Sequence, residues 1–257
     1  MVEKQKVTTV KVAAVADLHY TPEAEASVVP ALCEVARQGD ILLVCGDLTH
    51  NGLVEEAVAL ARCVEQIRVP ILAVLGNHDF HSGQEEAIKA ALRGSPIQVL
   101  DGDVAVVRDI GFAGVKGFGS GFGRRVLEPW GEAVMKEFVR VSVDEAMKLE
   151  SALSRLRTEQ RIAILHYSPI VGTVEGEPPE IHAFLGSSRL EDPLNRHQVI
   201  AAFHGHAHHG RPEGRTSTGI PVYNVSLPLL RRTRPEQPPC RVLEIEVVTP
   251  APGPGGL

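Results

Sequence analysis

Three short apolar runs, each ending on a polar residue and each displaced thirty residues from the last, fix most of what this chain can fold into. Val10–Ala16 leads into Asp17, Ile41–Cys45 into Gly46-Asp47, and Ile71–Leu75 into Gly76-Asn77. The runs are continuous rather than alternating, which marks strands buried on both faces. Between them, Glu23–Gln38 and Leu53–Ile67 repeat their apolar residues at three and four (Val28, Leu32, Val35; Leu53, Ala57, Leu60, Val64), the spacing of a helix face. Thirty residues is about the length of one strand–helix unit, so the pattern predicts βαβ repeats, an α/β class and a mainly parallel sheet. It also places Asp17, Asp47 and Asn77 at corresponding strand ends, where an open α/β sheet takes its ligands.

Beyond residue 95 the strand signals shorten to Ile97–Leu100, Val104–Val107 and Phe112–Val115. A glycine-rich stretch, 114–123, runs into Arg124 and Arg125, and an amphipathic helix is predicted over Val143–Leu156. Further strands are read at Ile162–Leu165, Val199–Phe203, Val222–Val225 and Val242–Val248, with a polar Pro/Gly loop at 172–179. No stretch has the composition of a domain linker, so 1–248 reads as a single domain with a variable loop and helix inserted at 117–158, and 249–257 as a frayed Pro/Gly tail.

At 257 residues the chain can bury a substantial core, and 44% apolar with 23% charged residues excludes disorder, collagen and coiled coil. A formal charge of −6 gives no footprint for a nucleic-acid backbone. The longest apolar runs, such as Ile41–Cys45, fall far short of the roughly 20 residues a spanning helix needs. The apolar stretch after Lys4 and Lys6 is broken by Thr8, Thr9 and Lys11, a poor secretory signal, so a cytoplasmic protein without membrane association is expected. Cys33, Cys45, Cys63 and Cys240 form no CxxC pair and read as reduced, buried thiols.

The chemistry stands at the strand ends. Asp17 and His19 follow the first run, Asp47 the second, Asn77, His78 and Asp79 the third; His166 follows Ile162–Leu165, and His206 and His208 follow Val199–Phe203. Gly46, Gly76 and Gly205 each precede a member of this set, where a glycine lets backbone turn sharply or approach a ligand. Three oxygen donors and four imidazoles are more than one small ion uses and too mixed for calcium; they suit a pair of transition ions, manganese, iron or zinc above all. Gly117 to Gly123 lacks the GxGxxG spacing of a dinucleotide site, and no HExxH of a single-zinc hydrolase is present.

Asp17-x-His19, Gly46-Asp47, Gly76-Asn77-His78-Asp79, His166 and Gly205-His206-x-His208 match, in order, the five motifs of the calcineurin-like metallophosphoesterases, which the chain resembles over residues 17 to 208. That resemblance implies a two-sheet β-sandwich flanked by helices. It implies that Asp17, His19, Asp47 and His208 hold one metal, that Asn77, His166 and His206 hold the second, and that Asp47 bridges. His78 resembles the family histidine that contacts phosphate and protonates the leaving oxygen, with Asp79 orienting it, and a hydroxide shared between the ions would attack phosphorus. The expected activity is hydrolysis of a phosphodiester or small phosphomonoester; a phosphoprotein phosphatase and a non-catalytic interaction scaffold on the same fold are the alternatives.

Outside the motifs, Arg124, Arg125 and His50 are candidates for substrate contact. His81, His182, His204 and His209 have weaker cases, and Arg231, Arg232 and Arg234 read as a solvated turn.

Overall fold

The computed structural model describes residues 6–249; Thr249 ends the last strand, paired with Lys6, rather than opening the expected tail at 249–257, and the expectations for Lys4 and for 250–257 lie outside the described residues. In chain order the elements are β1 (Lys6–Val15), α1 (Glu25–Ala36), β2 (Ile41–Cys45), α2 (Val54–Cys63), β3 (Ile71–Val74), α3 (Glu85–Leu92), β4 (Ile97–Val99), β5 (Asp103–Val107), β6 (Ile110–Gly114), α4 (Ala133–Arg155), β7 (Gln160–Ile164), α5 (His182–Leu185), α6 (Glu191–Arg196), β8 (Ala201–His204), β9 (Glu213–Arg215), β10 (Pro221–Asn224), α7 (Leu227–Thr233) and β11 (Arg241–Thr249). One sheet runs β11-β1-β2-β3-β4 and the other β5-β6-β7-β8-β10-β9. Strands β1 to β4 are parallel, as are β6, β7, β8 and β10; β11, β5 and β9 pair antiparallel at the edges.

Why the runs are continuous is visible in how they divide. Val12, Ala14, Ile41, Leu43, Leu72 and Val74 point between the sheets and meet Phe112, Ile162, Ile164 and Phe203. Their chain neighbours Ala13, Val15, Leu42, Val44 and Ala73 point outward under Val28, Leu32, Leu60 and Ile88 of α1, α2 and α3. The second sheet repeats this, burying Ala113, Ala163 and Ala202 beneath Leu149, Leu153 and Leu194 of α4 and α6. The result is a helix–sheet–sheet–helix stack in which every central strand is covered twice.

Several boundaries differ from the sequence pattern. The first helix begins at Glu25 because Pro22–Ala24 forms a tighter turn whose open end is capped by the Thr21 hydroxyl. The second ends at Cys63 and tightens over Val64–Gln66. Helix α4 starts ten residues before Val143, because Ala133–Glu137 is exposed and buries no apolar stripe. Helix α3 anchors on Ile88 and Leu92 alone, too few for a recognisable period. Arg231 and Arg232 stand on helix α7 rather than in a turn. Cys45 and Cys240 are buried, Cys33 and Cys63 partly so, and all four are free thiols. No helix among the described residues is long and apolar enough to cross a membrane.

The two sheets are joined at their carboxyl ends. His166, just after β7, hydrogen-bonds through Nδ1 to the Cys45 carbonyl at the end of β2, 3.0 Å away. Ala16 N donates to Val225 O across the same seam at 2.9 Å. Emptying the ring between the sheets with Phe203→Ala is expected to lower the unfolding free energy by about 3–5 kcal/mol. Met147→Ala, on the exposed face of α4, is expected to change it by under about 0.5 kcal/mol. Urea denaturation measures both, and equal losses would contradict a core shared by the two sheets.

Candidate metal centre

The backbone is forced into shape where the strands end. Asp17 (φ 59°), His19 (φ 44°), Asp47 (φ 50°) and His206 (φ 69°) all adopt the left-handed conformation that L side chains avoid, at a cost of order 1–3 kcal/mol each. Such strain persists only where surrounding structure over-determines it. Gly46 (φ 89°) and Gly76 show what enforces it: a Cβ on the first would collide with the His166 ring, and on the second with the Asp47 carboxylate and amide. Gly205 stands in the same relation to Asp17.

These turns bring two carboxylate-containing groups of donors together, Asp17, His19 and His208 in one and Asp47, His166 and His206 in the other, and a third, all-imidazole group of His19, His50 and His78 adjoins the first. Asp47 faces both carboxylate-containing groups, with Oδ2 3.7 Å from His19 Nε2 and Oδ1 3.4 Å from His166 Nε2. Asn77 Oδ1 lies 2.9 Å from His166 Nε2, which places the amide with the second group. Asp17 accepts from the His206 amide through both oxygens, at 3.1 and 3.0 Å, and lies 3.3 Å from His208 Nε2. All seven residues proposed from the sequence as ligands therefore meet at one place.

The electrostatics of this cluster ask for a cation. Burial and the neighbouring charges of Asp17 and Asp79 push the Asp47 carboxyl far above its ordinary value. Burial opposes ionisation of Asp17 too, but the His208 hydrogen bond and the imidazoles of His166 and His19 hold its carboxyl well below the usual range. Burial, with neighbouring imidazoles, lowers His19 to about 4 and depresses His166; burial also lowers His206, leaving these rings neutral and able to offer lone pairs. His208 moves up, chiefly through its hydrogen bond to Asp17. His19 Nδ1 is buried without a hydrogen-bond partner. Mixed nitrogen and carboxylate donors, an orphaned ring nitrogen and a carboxylate shared between two groups fit a pair of transition ions.

His78 adjoins the cluster, its ring 4.4 Å from that of His19. Its partner corrects the sequence-based expectation. The His78 Nδ1 is held by the His50 carbonyl at 2.7 Å, while Asp79, one residue on in a single tight turn, faces the other way. The Asp79 carboxylate accepts from Gly76 N (2.8 Å), Leu48 N (3.2 Å), Thr49 N (2.8 Å) and Thr49 Oγ1 (2.6 Å), and so positions the loop that carries Asp47 rather than the His78 ring.

The other candidates divide. The exposed His50 ring lies 5.6 Å from His19 and 5.5 Å from His78, at the crevice mouth, and His81 packs 4.4 Å from His78. His204 is buried on Thr173 Oγ1 at 2.8 Å, and His182 turns to the Glu177 carbonyl at 3.1 Å; neither joins the cluster. Arg124 and Arg125 are exposed on a one-turn helix, and among the described residues neither guanidinium forms an ion pair or hydrogen bond. Arg232 is no mere solvated cation: it donates to His208 O at 3.0 Å and pairs with His209 Nδ1 at 3.2 Å, bracing the loop that presents His208. The sequence reading overlooked Lys116, whose carbonyl accepts from the amides of His166 and Tyr167 at 3.0 and 3.1 Å, and Tyr167, whose ring lies 4.4 Å from His206. Tyr167 directly follows His166 and was within reach of the sequence; Lys116 carried no such signal.

Residues 10–210 match the family model described as calcineurin-like phosphoesterase, and the chain belongs to that family. The UDP-2,3-diacylglucosamine hydrolase of Klebsiella pneumoniae is 23% identical, aligned over 83% of this chain and 88% of its own length. The crystal structure of the phosphopantetheinyl hydrolase PptH of Mycobacterium tuberculosis superposes with a TM-score of 0.66 at 15% identity, covering 95% of this chain and 98% of that one. GAP50 of Plasmodium, the anchor in its inner membrane complex, shares the fold with a TM-score of 0.54 at 11% identity, over 86% of this chain and 72% of its own.

Asp79→Ala strands three buried N–H groups and a hydroxyl, and is expected to lower the unfolding free energy by about 3–5 kcal/mol and to reduce metal content together with it. Urea denaturation with metal analysis is the check. A variant of unchanged stability that loses only activity would restore Asp79 as the residue that orients His78.

Proposed function

We propose that the chain is a metal-dependent phosphoester hydrolase with a binuclear centre, in which Asp17, His19 and His208 serve one ion, Asn77, His166 and His206 the other, and Asp47 both. The observation that carries this reading is the division of the two Asp47 oxygens between the two donor groups. Family membership supports it. The hydrolases among the relatives are named for UDP-2,3-diacylglucosamine and phosphopantetheinyl groups, which favours a small organic phosphoester, a diester or monoester, over a phosphoprotein. Manganese, iron and zinc all suit the donor set.

When bound, the two ions supply Lewis acidity and a water of lowered pKa. The chain supplies the rest. Because the His50 carbonyl accepts a hydrogen bond from His78 Nδ1–H, Nε2 is the ring atom left to deliver a proton, from the imidazolium form, to the departing oxygen; burial lowers the pKa of that ring, which makes its imidazolium the stronger acid, and the Asp47 carboxylate accepting from the His78 amide at 2.9 Å keeps it beside the centre. Asp79 fixes the 47–49 loop and Gly76, so donor positions are set before substrate arrives.

Stripping the metal should abolish hydrolysis of an aryl phosphodiester or its monoester, and manganese should restore one of the two preferentially, which identifies the substrate class. Protein that binds two metals and hydrolyses neither would favour the scaffold reading. His78→Ala should retain both metals and lower kcat by about 10²–10⁴ for esters with an alkoxide leaving group, but far less for a nitrophenolate, which leaves without a proton. Steady-state kinetics on the two leaving groups tests this, and equal losses on both would remove His78 from the acid role.

A further inference from the structure

Beside the metal centre, on the side of Asn77, lies a cavity of about 400 Å³ that the mechanism above does not use. Asn77, Phe80, Lys116, Phe118, Val141 and Tyr167 line part of it, and acidic and lysine side chains line the rest. Two of these touch the centre directly: Asn77 is bonded to His166, and the Tyr167 ring packs 4.4 Å from His206. From Tyr167 the rings continue outward, to Phe118 at 5.6 Å, from Phe118 to Phe138 at 4.9 Å, and from Phe138 to Phe184 at 6.0 Å. Phe184 is 57% exposed, and its carbonyl accepts from His206 Nε2 at 3.1 Å. The aromatic series thus leaves the centre at His206 and returns to it. Scattered exposed apolar residues need no explanation, but a contiguous wall that begins at a candidate catalytic centre does.

The charges around the cavity say what it will not take. Lys89 and Lys148 both grip Asp101, at 2.9 and 2.8 Å, and Lys89 also pairs with Glu86 and Lys148 with Glu145 at 2.7 Å, so these charges neutralise one another, while Glu85 lines the same rim with its Oε2 buried and without a hydrogen-bond partner among the described residues. Lys116 differs. Its ammonium donates to Gly117 O at 2.9 Å and otherwise faces the rings of Phe80, Phe118 and Tyr167, 5.1, 4.8 and 5.2 Å away, with no carboxylate at ion-pair distance among the described residues. An ammonium held on aromatic faces keeps donors for an incoming oxygen. The cavity therefore offers one donor at its head and an apolar body beyond it.

We propose that this cavity and the aromatic wall are the subsite for the organic group of the substrate, with Lys116 taking an oxygen next to that group, so that the enzyme selects phosphoesters bearing an alkyl or aryl body of several carbons over methyl esters. The inference rests on the phosphoester-hydrolase reading and names the substrate class for that same centre. Lys116, Phe118 and Phe184 are specificity residues in this account, acting on binding rather than on the reacting bond.

The test holds the chemistry constant and varies the body. In a series of p-nitrophenyl alkyl phosphates carrying methyl, butyl or octyl as the retained group, hydrolysed by the manganese-reconstituted protein, the leaving group is always nitrophenolate. The octyl ester should exceed the methyl ester in kcat/KM by at least about tenfold, mostly through KM, since each buried methylene favours binding. Phe118→Ala should cut that ratio by about threefold or more, and so should Phe184→Ala, whose side chain is exposed and whose folding is not at issue. A flat series in the wild type, or variants that lower methyl and octyl esters alike, would overturn the subsite. Calorimetric titration with methylphosphonate and octylphosphonate reads the same preference without turnover. Tighter octylphosphonate binding that Phe118→Ala abolishes, in a protein that hydrolyses none of the esters, would uphold the subsite while removing the hydrolase reading. Equal binding of the two phosphonates would overturn the subsite itself.

Discussion

Buried negative charge at the strand ends is the constraint on which the rest of this structure depends. Asp17, Asp47 and Asp79 are each at most 2% exposed, and Asp47 is pushed away from ionisation by its burial and by the other two. An arrangement of this kind is unfavourable unless each carboxylate has a partner. Asp79 has its partners within the chain, four donors from Gly76, Leu48 and Thr49. Asp17 and Asp47 have imidazoles within 4 Å and a geometry that a pair of cations would complete. The left-handed turns at Asp17, His19, Asp47 and His206 are then the backbone cost of aiming those donors inward.

The two-sheet stack makes that cost sustainable. Each ligand-bearing turn follows a strand covered on both faces, so its starting point and direction are fixed by packing before the turn begins. Asp17, Asp47 and Asn77 come from neighbouring parallel strands of one sheet, and His166, His206 and His208 from neighbouring parallel strands of the other. The His166 bond to the Cys45 carbonyl sets the two halves in register with each other. A site divided between two sheets in this way forms only when both are docked.

What the sequence disclosed follows from the same logic. Asp17, Asp47 and Asn77 were legible because a doubly buried strand writes a continuous apolar run and its end is unmistakable. The histidines were legible as types at those ends. Direction was not. His78 and Asp79 are adjacent in sequence, yet a tight turn sends one ring toward the crevice and the other side chain beneath it, where it holds the Asp47 loop. His204 and His206 are two apart, yet the first is buried on Thr173 and the second faces the centre. The first two turns of α4 bury too little to show a period, and the wall built from Phe80, Phe118, Phe138, Tyr167 and Phe184 joins five separate stretches of chain whose contact no local pattern records.

The candidate centre and the wall beside it answer to different physics. The donor positions tolerate almost no change, because a Cβ at Gly46 or Gly76 already collides with a donor. The wall carries no such requirement: Phe118, Phe138 and Phe184 meet through dispersion and ring contacts of 5 to 6 Å, and a different set of apolar side chains could fill the same space. On the proposed reading, chemistry is therefore held by strand ends under strain, while choice of substrate is left to loops and to one face of α4.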